Sequence, residues 1–276
     1  MYILQEKLIN KKVYTLIISL IVIYILIIIF LNFYQRKIIY HPFINSYSQT
    51  HKEFTFKEVF IKTNDNLKLK GWFHEKDIKN KKTLVFFHGN AGDLTNRVYK
   101  LNVLKNLDIN FLILAYRGFS GNLGKPSEQG LYEDARSSLR WLNEIGVEDN
   151  KIIIYGESLG TSVAVEVSQN KKFSGIILES PFTSMSKIGK KHYPIFPVDL
   201  ILKDKFNTLS KLKNIKSPTI VLHGKQDKIV PFAMGKEIFD KLDAPKFSYF
   251  TEQDDHMMEF DEEMFKNLKF FIDQLI

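Results

Sequence analysis

The chain has 276 residues, 45% of them apolar, enough to bury the core of one large α/β domain or two small ones. Its formal charge is +8, but 34 of the 39 basic residues are Lys and no basic run exceeds two, which argues against nucleic acid as a partner and for a solvated, Lys-rich exterior. There is no cysteine, so disulfides, thiolate zinc sites and a cysteine nucleophile are excluded.

The first element is a run without charge, Pro or Gly, VYTLIISLIVIYILIIIFL at 13–31. As a helix it is roughly 28 Å long, close to the hydrocarbon thickness of a bilayer. Fifteen of its nineteen residues are Ile, Leu, Val or Phe, which together favour insertion by about 6 kcal/mol. It is too long for a signal-peptide core, and Phe30-Leu31-Asn32-Phe33-Tyr34 offers no small-residue cleavage site. Residues 1–35 are therefore expected to be an uncleaved single-pass membrane anchor, and 36–276 the folded domain. Lys7, Lys11 and Lys12 before the span, against Arg36 and Lys37 after it, narrowly favour a cytoplasmic N-terminus and leave the domain's side of the membrane open.

After the anchor, 53–63 and 67–76 alternate about Asn64-Asp65-Asn66 and predict a hairpin. Apolar runs follow at 83–89, 110–116, 151–156, 174–180 and 219–224, each apolar on both faces, with a last strand at 246–251. Amphipathic stretches at about 95–107, 128–145, 159–169, 232–242 and 258–275 separate or follow them. Strand alternating with helix predicts a mostly parallel sheet of about eight strands, covered on both sides, with the hairpin at one edge. Residues 181–216, irregular and rich in Pro, interrupt this order and are expected to form a small cap.

The chemistry starts at KIIIYGESLGTS (151–162). A strand that turns at once into a helix needs small residues two before and two after the turning point. The central side chain is then pushed out at the carboxyl edge of the sheet, where open α/β sheets bind ligands. Gly156-Glu157-Ser158-Leu159-Gly160 fits such a nucleophile elbow, with Ser158 as nucleophile. Its base and orienting acid should follow in the order acid, then His, in loops after later strands. Asp227, after the 219–224 strand, is the natural acid. His256, after the 246–251 strand, is the only histidine beyond it. Glu179, at the end of the 174–180 strand, is the rival acid; Asp254 and Asp255 lie too close in sequence to His256. For the oxyanion, the backbone N–H groups of Leu159 and of Asn90, in the His88-Gly89-Asn90-Ala91-Gly92 loop, are the expected donors. His88 and His223 are assigned structural roles, and Arg117 is expected to tie loops through carboxylates. No metal-ligand spacing and no phosphate cradle is found, so no cofactor is expected.

The motifs HGNAG (88–92), AYRGFSGNLGKPSEQGLYEDA (115–135), YGESLG (155–160), LESPFTS (178–184) and HGKQDKIVP (223–231) stand in one order. In that order the chain resembles the Bem-type, membrane-anchored alpha/beta hydrolase domain-containing proteins, from QRKIIYHP at about residue 35 to the C-terminus. The resemblance implies an α/β-hydrolase fold with a small cap, an N-terminal anchor, and Ser158, Asp227 and His256 as a catalytic triad. Some relatives in that family remove fatty thioesters from protein cysteines. The family's last motif reads Gly-His-Asn, whereas this chain has Asp255-His256-Met257. The expected activity is hydrolysis of a carboxylic ester or thioester, acyl or lipidic and borne by the membrane, through an acyl-enzyme. The alternatives are a serine peptidase and a catalytically silent hydrolase fold that binds a partner.

Overall fold

Eight strands make the sheet: β1 Lys57–Lys62, β2 Lys68–His74, β3 Thr83–Phe87, β4 Asn110–Leu114, β5 Ile152–Glu157, β6 Gly175–Glu179, β7 Thr219–Gly224 and β8 Lys246–Thr251. They are seen in a computed structural model that describes residues 2–42 and 56–275. The start of the expected hairpin, 53–55, lies outside the described residues. The spatial order is β1-β2-β4-β3-β5-β6-β7-β8. The β1–β2 and β2–β4 pairs are antiparallel and every other pair is parallel. This matches the expected mostly parallel sheet with an antiparallel edge.

Side chains alternate across each central strand, so strands buried on both faces must be apolar throughout. On β5, Ile152 and Ile154 join one core, while Ile153 and Tyr155 join the other. On β3, Val85 and Phe87 divide from Leu84 and Phe86 in the same way. Each such buried side chain contributes about 1.5–3 kcal/mol. The helices are α1 Tyr2–Ile39, α2 Val98–Leu104, α3 Glu128–Glu144, α4 Leu159–Ser168, α5 Met185–His192, α6 Val198–Ile201, α7 Phe232–Lys241 and α8 Glu262–Asp273; α2 and α8 lie on one face of the sheet, α3, α4 and α7 on the other. Leu131 of α3 and Val163 of α4 pack into the first core; Leu101 of α2 and Leu268 of α8 pack into the second.

The expected helix at 95–107 is divided. Asp93 caps a 3-10 turn at Leu94–Arg97, accepting from the N–H groups of Thr95 and Asn96, and α2 starts only after it. The strands expected at 83–89 and 110–116 end two residues early, because His88 and Gly89, and then Ala115 and Tyr116, leave the sheet to build loops at its carboxyl edge. The Pro-rich 181–216 insertion holds α5, α6 and a 3-10 turn at Leu209–Asn214.

The first helix does not stop at residue 35. It runs unbroken to Ile39, and its Lys11–Ile39 portion is long and apolar enough to cross a membrane. It ends where His41–Pro42 forms a short parallel bridge with Ala91–Gly92; proline cannot continue a helix.

Candidate active site

Four loops at the carboxyl ends of β3, β5, β7 and β8 converge. Between β5 and α4 the backbone turns through Ser158, whose φ of 49° and ψ of −112° lie outside the comfortable regions for an L-residue. Such a conformation costs on the order of 1–3 kcal/mol and persists only where the surroundings enforce it. Here they do. A Cβ on Gly156 would lie 2.5 Å from the Gly160 carbonyl oxygen, and one on Gly160 would lie 1.9 Å from that of Phe87. The two glycines let α4 press against the ends of β5 and β3, and the Ser158 N–H is fixed by the Glu179 carbonyl at 2.8 Å.

The structure brings Ser158, His256 and Asp227 together. Ser158 Oγ lies 2.9 Å from His256 Nε2, and His256 Nδ1 lies 2.7 Å from Asp227 Oδ2. These distances fit the tautomer in which Nδ1–H donates to the carboxylate and Nε2 accepts from the hydroxyl. Asp227 is held on all sides. The N–H groups of Ile229 and Val230 donate to its Oδ1 at 2.9 and 2.8 Å, and His223 Nε2 lies 3.2 Å from its Oδ2. Burial opposes the charge of Asp227, yet the hydrogen bonds from His223, His256 and Val230 prevail and hold its carboxyl far below the usual carboxylate range. His223 thus supports the acid, and it fits only because position 235 is Gly: a Cβ there would lie 2.1 Å from its Nδ1.

Asp255-His256-Met257, where the resembled family has Gly-His-Asn, is held by its own hydrogen bonds. Asp255 Oδ1 accepts from the Met257 N–H at 2.9 Å, and the Ser180 hydroxyl donates to the His256 carbonyl at 3.1 Å. The preceding Asp254 carbonyl packs directly on Gly224, where a Cβ would lie 2.2 Å away.

The two expected oxyanion donors lie on segments packed together here. Leu159 opens α4, and Asn90 follows β3. The backbone N–H of each has no acceptor among the described residues. His88 is buried and shapes this loop: Nδ1 lies 2.7 Å from the Gly89 oxygen, and Nε2 accepts from the Tyr116 N–H at 3.3 Å. Burial, helped by the Arg97 charge, pushes its imidazole down to about 3, so it is neutral at physiological pH. Arg117 ties loops, as expected, donating to Asp134 and Asp65.

Glu179, the rival acid, faces elsewhere. It accepts from Lys100 Nζ at 2.6 Å and the Tyr155 hydroxyl at 2.7 Å. This belongs to a buried network that sequence reasoning missed. Lys100 Nζ also donates to Glu157 Oε2 at 2.7 Å, and Glu157 Oε1 accepts from Arg97 Nη2 at 2.7 Å and from the Gly89 N–H at 3.1 Å. Burial works against the Glu157 charge, but Arg97 and Lys100 outweigh it and depress its carboxyl strongly. The residue before Ser158 thereby fastens the Asn90 loop to the turn. The available signal was weak: a lysine at an inward position of α2, beside Leu101.

An open α/β sheet with a serine turn after its central strand, facing a His–Asp pair, defines an α/β-hydrolase. The model of the prolyl oligopeptidase family matches residues 99–264. A protein of Mycobacterium tuberculosis described only as uncharacterized, Rv2307c, is 33% identical over 224 residues, covering 80% of this chain and 79% of that one. The lysophosphatidylserine lipase ABHD12 of Rattus norvegicus is 31% identical over 64% of this chain and 49% of its own length. The Pyrococcus furiosus esterase Pf2001 has a similar fold, with a TM-score of 0.70 at 22% identity, covering 86% of this chain and 98% of that one. The chain therefore belongs to the prolyl oligopeptidase family within the α/β-hydrolase superfamily, and is a hydrolase with esterase- and lipase-like relatives.

Proposed function

We propose that the protein is a membrane-anchored serine hydrolase that cleaves a carboxylic ester or thioester bearing an apolar acyl chain. The observation that carries this reading is the continuous contact from Ser158 Oγ through His256 to Asp227. His256 takes the Ser158 proton as the oxygen attacks the acyl carbon, and Asp227 stabilises the imidazolium. The negative charge on the former carbonyl oxygen is met by the N–H groups of Leu159 and Asn90. One such donor is worth roughly 10²–10³ in turnover. The alcohol or thiol leaves with the proton from His256, and water, activated by the same imidazole, releases the acid and restores Ser158.

An apolar acyl group is favoured over a peptide by the surroundings of the Asn90 loop. A cavity of about 430 Å³ begins there, lined mostly by aliphatic and aromatic side chains, within the range of small-molecule sites. The lipase activity in the name of the rat relative points the same way. The 1–35 anchor, the 36–276 hydrolase domain and the 181–216 cap complete the reading, with the apolar helix holding the site at the membrane.

A fluorophosphonate probe tests the mechanism on the full chain in detergent or vesicles. Labelling of the wild type that disappears in Ser158→Ala supports it. Equal labelling of both removes Ser158 from the reaction. Hydrolysis of acyl esters and thioesters, beside peptide amides, then separates esterase from peptidase.

A further inference from the structure

The cavity at the Asn90 loop is not made by the hydrolase domain alone. Leu31, Ile38 and Ile39 of α1 form one wall, and Ile188, Phe196 and Ile201 of the cap contribute to the other. We infer that this groove holds the fatty acyl chain of a bilayer lipid, which enters sideways from the hydrocarbon between the anchor helix and the cap. The inference rests on the proposed acyl hydrolase and deepens it: the anchor becomes part of the substrate site.

Three observations carry it. The first is adjacency to the proposed oxyanion loop. Asn90, whose backbone N–H is the proposed oxyanion donor, also lines the groove. Its side chain donates to the Ile39 carbonyl at 2.7 Å, and its own carbonyl accepts from the His41 N–H at 2.8 Å. An acyl carbonyl at this loop therefore has an apolar trough beginning beside it.

The second is depth. The Tyr24 hydroxyl donates to the Ile195 carbonyl at 2.6 Å, and the Tyr24 ring stacks on Phe196 with centroids 5.8 Å apart. Tyr24 lies seven residues before Leu31, the end of the apolar run, so this contact falls about 10 Å inside that run. With α1 across the bilayer, the Tyr193–Pro197 tip reaches into the membrane's boundary region beside the apolar span, with the Lys190–Asp199 pair at its base. The tip is dressed for that: Ile195 is 72% and nearby Leu200 84% exposed, an apolar surface that would be a liability in water.

The third is rigidity. A leash needs no fixed contact, yet α1 is bolted to the cap. Gln35 Nε2 donates to the Ile201 carbonyl at 2.9 Å, and its Oε1 accepts from the Lys203 N–H at 2.6 Å. Arg36 and Tyr40 both donate to Asp204. Tyr24 and Gln35 are eleven residues apart, about three helical turns, so these two contacts lie on one stripe of α1. Polar groups at the end of a membrane helix normally turn towards protein rather than lipid.

The test uses the full chain in phosphatidylcholine vesicles, with palmitoyl lysophosphatidylcholine and p-nitrophenyl acetate as long- and short-chain esters. Leu31→Trp and Ile38→Trp fill the groove from the anchor side. Each is expected to lower the long-to-short ratio of kcat/KM by at least about tenfold, while Ile21→Trp, which is on α1 but outside the groove, leaves the ratio within about twofold. An unchanged ratio in both groove variants, with fluorophosphonate labelling of Ser158 intact, overturns the inference and spares the proposed function. Loss of labelling together with all ester turnover in the wild type overturns the proposed function itself. Hydrolysis of an S-palmitoyl peptide but of no lipid ester in the same vesicles would overturn the lipid as occupant. A diazirine fatty acid that crosslinks to Ile188 or Ile201, on the cap wall of the groove, as well as to α1 of Ser158→Ala in vesicles is the expected direct result, and crosslinks confined to α1 would contradict it.

Discussion

Two buried carboxylates flank the Ser158 turn, and both are held far below the usual carboxylate range. Their partners differ. Glu157 faces Arg97 and Lys100, which keep their protons at any physiological pH. Asp227 faces two imidazoles, His223 and His256, at 3.2 and 2.7 Å. The first arrangement can only hold shape: it pins the Gly89 amide, and with it the Asn90 loop, to the turn. The second holds shape too and, in the mechanism we propose, also stabilises a charge that arises during the reaction. In the mechanism we propose, the same side-chain chemistry serves as scaffold beside fixed cations and as part of a relay beside an imidazole that reaches Ser158.

That contrast can be broken from either side, and the largest effects belong to the relay. Ser158→Ala or His256→Ala is expected to reduce kcat by about 10⁶-fold, and the double variant to lose little more, because such groups act as a unit; single-turnover ester assays read this. Asp227→Asn should cost about 10⁴-fold by presenting the wrong imidazole tautomer, with the denaturation midpoint moving less than for the scaffold variants. On the scaffold side the signs reverse. Lys100→Met strands Glu157 and Glu179 without their shared cation, and breaking a buried pair in this way costs about 3–5 kcal/mol, measured by urea unfolding. Glu179→Gln should keep turnover within a few-fold, which separates it from Asp227; a 10⁴-fold loss there would exchange their roles.

The smallest expected effect is in acid. Glu157 has a depressed folded-state pKa, so the stability it contributes is present above its unfolded value of about 4.3. That contribution is lost as pH falls through the lower folded value. Thermal unfolding between pH 7 and pH 3 should therefore show a decline below about pH 4.3 that is shallower in Glu157→Gln. An equal slope in both proteins would mean that other carboxylates carry the acid sensitivity.

The readable part of this molecule is the part written locally. Gly156, Ser158 and Gly160 declare themselves because one tight turn imposes all three, and Asp227 and His256 because each closely follows its own apolar strand. The rest depends on contacts between distant segments. Lys100 meets Glu157 across 57 positions, and Gln35 meets the Ile201 carbonyl across 166. Nothing in either segment announces its partner. A lysine on a helix and a glutamine at the end of an apolar run each have a simpler explanation on an exposed surface. The helix end past residue 35 was hidden for the same reason: Ile38 and Ile39 look like the first residues of a domain until they are seen against the cap and the Asn90 loop.

An ordinary membrane anchor is specified by little more than greasiness and length. The helix from Tyr2 to Ile39 carries a stricter demand, because Tyr24 and Gln35 each meet a different cap residue while sharing one continuous spiral. One residue inserted between them would turn the upper contact about 100° away from the lower. This segment is therefore geared: swapping Ile for Leu is cheap, whereas changing the count by one throws its two ends out of phase.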